Sequence, residues 1–319
     1  MVVCLLILNH WDMNQIKLYL RVFKKAFLGF IDDNAFKLSA ALSNYTIFAM
    51  GPLLLIIMSL AGIFFGKQAV QGKIYGQING LVGNDAAIQV QSIIQNISQS
   101  QNGTIGTIIG VIILIIGATG VFTEIQDSIN YIWSVKAKPK KGWLKFLINR
   151  LISFSLVVSM GFILLVSLII NALMDVLSEG LRRFFKDYTI YFFYIVNILI
   201  IFVIITGLFA VIFKVLPDAK IKWKEALIGA AFTAVLFLLG KFVIGYYLGR
   251  SDMGITFGAA ASIVIILSWV YYSSLILYFG AEFTKAYAIE TGSGIMPSDT
   301  AVFIIKKEAK EIPVSYLDT

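Results

Sequence analysis

The chain has 319 residues, of which 59% are hydrophobic and only 14% charged, with a mean hydropathy of +0.86 and a net charge of +8. An ordinary soluble domain carries about a quarter charged residues and roughly 45–50% apolar ones, so a water-soluble globule is excluded. Five prolines exclude a collagen-like chain, and a lone cysteine, Cys4, excludes a disulfide scaffold. What remains is an all-α polytopic membrane protein.

At the start, Met1 to Leu8 is apolar, but no basic residue precedes it and no small-residue cleavage site follows it. A secretory signal peptide is therefore not expected, and Met13 stands as an alternative start. Asn14–Ile31 places Ile16, Leu20, Phe23, Phe27 and Phe30 at helical spacing, with Lys17, Arg21, Lys24 and Lys25 mainly off that stripe. The pattern predicts an amphipathic helix lying in the membrane interface, within an N-terminal segment over 1–38.

A bilayer core about 30 Å thick takes roughly 20 apolar residues per helix. Six stretches meet that length in the domain 39–288: Ser39–Phe65, Thr104–Thr123, Phe146–Met174, Thr189–Phe213, Ala226–Leu248 and Phe257–Phe283. Backbone polar groups in lipid must be satisfied within each segment, so all six are read as helices. An outer loop over 67–103 is rich in Gln, Asn, Gly and Ser. Within it Ala87, Ile88, Gln91, Ile94 and Ile97 fit one weak helical face. The tail over 289–319 carries Gly292, Gly294 and Pro297 and reads as flexible.

Charge sets the orientation. Of the 26 Lys and Arg residues, 19 fall on the side of the N-terminal segment, the loop after the second span, the loop after the fourth and the tail. Six fall on the other side, and Lys241 lies within the fifth span. By the positive-inside rule both termini are cytoplasmic. Topology accounts for the basic charge, and no nucleic acid partner is expected.

Polar groups at membrane depth suggest function by default. In the first span Asn44 precedes Gly51-Pro52, and Pro52 can bend the helix. That points either to a broken helix lining a cavity or, the favoured reading, to a structural kink in a packing seam. Glu124 and Asp127 share one helix face at the end of the second span, where they either bind a cation or pair with Arg150 and the lysines that follow. Lys241 stands in the outer half of the bilayer; it either snorkels to the outer headgroups, the favoured reading, or faces a cavity and an anionic group. Glu282 ends the sixth span near the cytoplasm. These seven residues are the candidate substrate-binding set.

Enzyme chemistry finds no foothold. There is a single histidine, His10, with no metal-ligand cluster, and neither a nucleophile elbow nor a phosphate-binding Gly-x-x-x-x-Gly-Lys-Ser/Thr loop. No catalytic residue, metal or cofactor is expected.

The polar motifs carry a resemblance. Ala40-Ala-Leu-Ser-Asn-Tyr-Thr followed by Gly51-Pro-Leu-Leu-Leu resembles the opening span of the YihY/BrkB membrane-protein family. Gly120-Val-Phe-Thr-Glu-Ile-Gln-Asp-Ser-Ile-Asn-Tyr-Ile-Trp-Ser-Val is similar to its second signature, and Leu216-Pro-Asp with Trp223-Lys-Glu-Ala-Leu-Ile-Gly-Ala to its third. Ser268-Trp-Val-Tyr-Tyr-Ser-Ser-Leu-Ile-Leu-Tyr-Phe-Gly-Ala-Glu-Phe-Thr resembles the last. The four occur in family order between Phe36 and Ala288. Asn44 stands where the family often has a second aromatic, and Gly51 where it often has Phe.

The resemblance implies a six-helix protein of the bacterial cytoplasmic membrane. Members have been called ribonuclease BN and a serum-resistance virulence factor; the residues here give the nuclease label no support. The family further implies transport or handling of an anionic lipid or other envelope amphiphile, with membrane lipids as partners. The alternative is a non-transporting scaffold that recruits envelope-assembly proteins. The topology is testable by cysteine scanning with an impermeant reagent after removal of Cys4. Positions beside Lys138 and Lys220 should stay unlabelled in intact cells, and labelling there would overturn the orientation.

Overall fold

A computed structural model describes residues 2–48, 88, 91, 120–138, 188–250 and 261–306. The first element, α1 (Val2–Asp32), contains the whole predicted amphipathic segment. It breaks at Asn34, whose φ of 53° lies in the left-handed region that a short polar side chain tolerates. The chain restarts at once as α2, over 35–48. Helix α3 covers 120–132 and ends on Ser134, φ 57°, before strand β1 (Val135–Ala137).

Three long helices follow. These are α4 (Tyr188–Val215), α5 (Trp223–Arg250) and α6 (Ala261–Glu290), with the two-residue strand β2 (Ala219–Lys220) between the first two. They overlap the predicted fourth, fifth and sixth spans. Three stretches among the described residues are long and apolar enough to cross a membrane: Ile198–Val215, Trp223–Tyr247 and Ile263–Glu290. The predicted third span, and the first and second beyond residues 39–48 and 120–123, lie outside the described residues. So does the loop 67–103 apart from Ile88 and Gln91, both helical.

The described residues are mostly helical, with two small departures among them from the all-α reading. Beyond α6 come β3 (Met296–Pro297) and β4 (Ala301–Phe303), in the segment expected to be flexible. Both pair antiparallel with strands far back in the chain: Ala219 opposite Pro297, and Val135 opposite Phe303. The glycines behind the flexible reading are helix-ending turns here. Gly292 and Gly294 have φ of 77° and 65°, and Gly294 N–H donates to the Ala288 carbonyl at 2.9 Å.

Packing is closest between α5 and α6, which run antiparallel. Each carries a glycine followed four residues later by threonine: Gly229 and Thr233 on α5, Gly280 and Thr284 on α6. A Cβ at Gly229 would overlap Thr284 Oγ1, and one at Gly280 would overlap Thr233 Oγ1. Both hydroxyls are buried and donate at 2.7 Å to the carbonyl of the glycine one turn back. Each helix thus inserts a threonine into the gap opened by the other's glycine, the small-residue packing that membrane helices use. Further along, Gly240 lies under the Tyr272 ring in the same way.

Around this pair, α4 packs on α5 through Phe209 and Phe237, ring centroids 6.0 Å apart. Helix α1 lies on the C-terminal half of α6, with Val22 and Ala26 buried against Phe283, Ala286 and Tyr287. The main core joins α2, α3, α4 and α6 through Leu42, Ile129, Ile132, Phe213 and Leu277. Trp133 closes it, its indole N–H donating to the Ala281 carbonyl at 3.0 Å.

The interlock makes one substitution act differently at two sites. Gly280→Ala should lower the thermal unfolding temperature in detergent, at a cost of about 1–3 kcal/mol from overpacking. Adding Thr233→Ala should recover part of it. Gly207→Ala, where an added Cβ meets nothing within 4 Å, should cause no loss.

Candidate functional site

The break at Asn34 puts Asp33 at the elbow between α1 and α2, turned inwards with its side chain only 7% exposed. Glu282, about two turns before the end of α6 at Glu290, is 2% exposed. It sits directly over Gly29, where an added Cβ would lie 2.7 Å from Glu282 Oε2. Gly29 therefore lets α1 approach the carboxyl closely. Two lysines serve the two acids. Lys285 Nζ donates to Glu282 Oε2 at 3.2 Å and reaches Asp33 Oδ2 at 3.5 Å. Lys306 Nζ, arriving from beyond β4, binds Asp33 Oδ2 at 2.5 Å and lies 4.3 Å from the centre of the Tyr131 ring. Burial pulls the Lys306 ammonium below lysine's ordinary value, while Asp33 draws it back up. Glu282 Oε1 is buried with no hydrogen-bond partner among the described residues.

The route by which Lys306 arrives matters as much as the cluster. After α6 the chain passes the start of α5, where Ser293 Oγ donates to Glu225 Oε1 at 2.8 Å. It then crosses the α4–α5 turn, where Ser298 N–H donates to the Asp218 carbonyl at 2.9 Å. It pairs with β1 after α3 and ends on the α1–α2 elbow. Residues 291–306 form a strap across three helix junctions: the α4–α5 turn, the end of α3 and the α1–α2 elbow. Under it Asn130 of α3 grips Asp218: its Nδ2 donates to Oδ2 at 2.9 Å, and its Oδ1 accepts the Asp218 N–H at 2.8 Å. Gln126 adds a third bond at 3.0 Å.

The predicted residues fall in different places. Glu282 is in the buried cluster. Glu124 is half-buried and accepts from Ser128 Oγ at 3.2 Å, with the buried Tyr278 beside the pair. Asp127, on the same helix, is exposed, as is Asn44 on α2. Lys241 is half-buried on α5, its ammonium 6.0 Å from the Phe242 ring centre. Pro52 and Arg150 lie outside the described residues. The structure thus sets Glu282, beside Lys285, apart from Glu124, beside Ser128. It adds Asp33, Lys285, Lys306, Asn130 and Asp218, which sequence reading passed over. The run Asp32-Asp33-Asn34 offers a turn signal that could have pointed to Asp33, and Asn130 and Asp218 stand within the second and third signatures.

Comparison with known proteins places this arrangement. Residues 26–299, spanning every element from the middle of α1 to the strand β3, match the family described as Virulence factor BrkB. The chain belongs to the BrkB family. Curated relatives of this family member carry the name UPF0761 membrane protein. One from Saccharophagus degradans is 26% identical over 87% of this chain and 64% of its own length. One from Stenotrophomonas maltophilia is 28% identical over 81% and 59%, and one from Tolumonas auensis is 29% identical over 58% of each. The chain spans about three-fifths of the length of these relatives. No solved structure matches it. Family and apolar helices together make this a multi-pass membrane protein.

The far end of the strap meets the α1–α2 elbow through the Lys306–Asp33 ion pair, and removing one partner leaves the other charge part-buried. Asp33→Asn should cost about 1–3 kcal/mol, since both lysines are a quarter exposed and partly solvated. Limited proteolysis should then cut the chain after residue 290 at lower protease concentration than in wild type. Lys306→Met should have the smaller effect, because Lys285 still serves Asp33.

Proposed function

We propose that the protein takes part in the transport or handling of an anionic lipid or other envelope amphiphile at the bacterial cytoplasmic membrane, with its strap on the cytoplasmic side. The observation that carries this reading is the division of α1 into three faces. Val22, Ala26 and Phe30 are buried. Ile16, Leu20, Phe23, Phe27 and Ile31 form an apolar face that stays exposed. Lys17, Arg21, Lys24 and Lys25 form a basic face. Glu290 at the end of α6 fastens that basic face, meeting Lys25 at 2.5 Å and Arg21 at 3.8 Å.

A helix so divided, docked on membrane-length helices, suits the boundary between acyl chains and headgroups. Its apolar face would lie among the chains. Lys17 and Lys24 would meet anionic headgroups, each contributing about 1 kcal/mol at such a surface. Lys241, about 27 Å along α5 from Trp223 at 1.5 Å per residue, would offer a cation near the opposite surface. With no nucleotide-binding motif in the chain, a gradient, a partner or downhill equilibration would supply the drive. In the scaffold alternative the tail recruits other proteins, but β3 and β4 are already paired within the molecule. A recruiting surface would have to lie elsewhere.

Reconstitution into liposomes with a fluorescent anionic lipid tests the proposal. Wild type should redistribute the lipid faster than protein-free vesicles. Lys17→Gln with Lys24→Gln should slow this about thirtyfold, as two headgroup contacts are lost, and Lys241→Met should slow it separately. Rates equal to those of protein-free vesicles would end the reading.

A further inference from the structure

Between α1, α5 and α6 runs an open groove of about 500 Å³. Ile16, Leu20 and Phe23 line it from α1, with Tyr19 at one edge; Ile228 and Phe232 line it from α5 and Phe283 from α6. No charged side chain enters it. Its walls are fixed by ring contacts. Phe232 stacks on Phe283 with centroids 3.8 Å apart and planes at 13°. Phe23 meets the edge of Phe279 at 5.6 Å, and Tyr19 stacks on Tyr287 at 6.1 Å. The groove is therefore preformed, and no rearrangement is needed to make it.

Two features decide what fills it. Phe232 and Phe283 belong to stretches long and apolar enough to cross a membrane, whereas α1 does not. The groove thus lies where a membrane-spanning pair meets an interfacial helix, and its occupant must be apolar along its length. The mouth is cationic. Lys224, exposed, precedes Ile228 by four residues and Phe232 by eight, so all three share one face of α5. At 1.5 Å per residue Lys224 stands about 6 Å beyond Ile228 and about 12 Å beyond Phe232. Lys17, also exposed, adjoins Ile16 on the facing helix.

We propose that this groove is a binding site for one acyl chain of an anionic phospholipid, the chain lying along Phe232 and Phe283 and the phosphate meeting Lys224. This rests on the lipid-handling reading and gives it a site. The ring-locked walls provide shape for the chain, and the lysine provides preference for charge. A zwitterionic lipid fills the groove equally but gains less at the mouth, because its own cation already offsets its phosphate.

Native mass spectrometry of delipidated full-length protein in detergent tests the site, with phosphatidylglycerol and phosphatidylcholine of identical chains as probes. Wild type should hold phosphatidylglycerol more tightly. Lys224→Gln should reduce that preference about tenfold, the equivalent of one charge-assisted contact. Ile228→Trp should weaken both lipids by filling the groove. Leu20→Trp, at a position exposed enough to accept the ring, should do the same from the α1 side, and Leu239→Trp, exposed on α5 outside the groove, should do nothing. Unchanged binding in all three groove variants, with wild-type preference intact, would overturn the site while leaving the lipid-handling reading standing. Equal binding of the two lipids by wild type would overturn the site and count against that reading as well.

Discussion

The reciprocal fit of Gly229 with Thr284 and of Gly280 with Thr233 governs this side of the molecule. Lipid supplies no hydrophobic drive to bring helices together, so contact depends on how closely the backbones approach. At this crossing they approach as far as two glycines allow, and each threonine satisfies its hydroxyl within its own helix. The fit also fixes the rotation of α6. With Gly280 and Thr284 turned to α5, Tyr278 and Ala281 face the core shared with α3. Glu282 faces α1, and Phe283 is left at the rim of the groove. One contact thereby orients the acid cluster, the Trp133 anchor and the groove-lining Phe283 together.

Helix ends are the second constraint. Each helix leaves carbonyls and amides without intrahelical partners, and three reversals at positive φ gather several of these ends on one side. The strap meets many of their needs. Ile304 N–H takes the Ser134 carbonyl, Lys138 N–H takes Thr300, and Ser298 N–H takes Asp218. Two-residue strands are weak pairing units on their own. Here they work because the helices they join are already held side by side.

How much of this was legible follows from what each signal measures. Hydropathy located α4, α5 and α6 to within several residues but closed each short of a flanking charge: Lys214, Arg250 and Lys285. Burial in lipid stops at a charge, whereas a helix does not: α6 runs on from Phe283 to Glu290. Gly292 and Gly294 read as signs of freedom in the sequence and stand in left-handed turns in the structure, because composition alone does not give the conformation a glycine adopts. Glu282 stood out as an acid in an apolar stretch. Its neighbours did not, since Asp33 and Lys306 are ordinary polar residues until the fold brings them together, and no local pattern links positions 273 apart. The amphipathic stripe of α1 was legible as a pattern. Its division was not: Phe30 turns inwards while Ile16, Leu20, Phe23 and Phe27 stay out, a choice made by α6.

The strap also has a consequence in time. A ribosome delivers this chain in order, so the elbow at Asp33 is made before any of α4, α5 and α6. Its lysine partner is made only after α6 has been threaded, so the entropy of closing that very long loop is met late. Until then Asp33 must stay hydrated or borrow Lys285, and the junctions of α3, α4 and α5 lie uncovered. Assembly of this side is therefore coupled to completion of translocation rather than to insertion of any one helix. A released chain that stops between residues 290 and 306 would have every one of these helices to insert and no strap to close their ends.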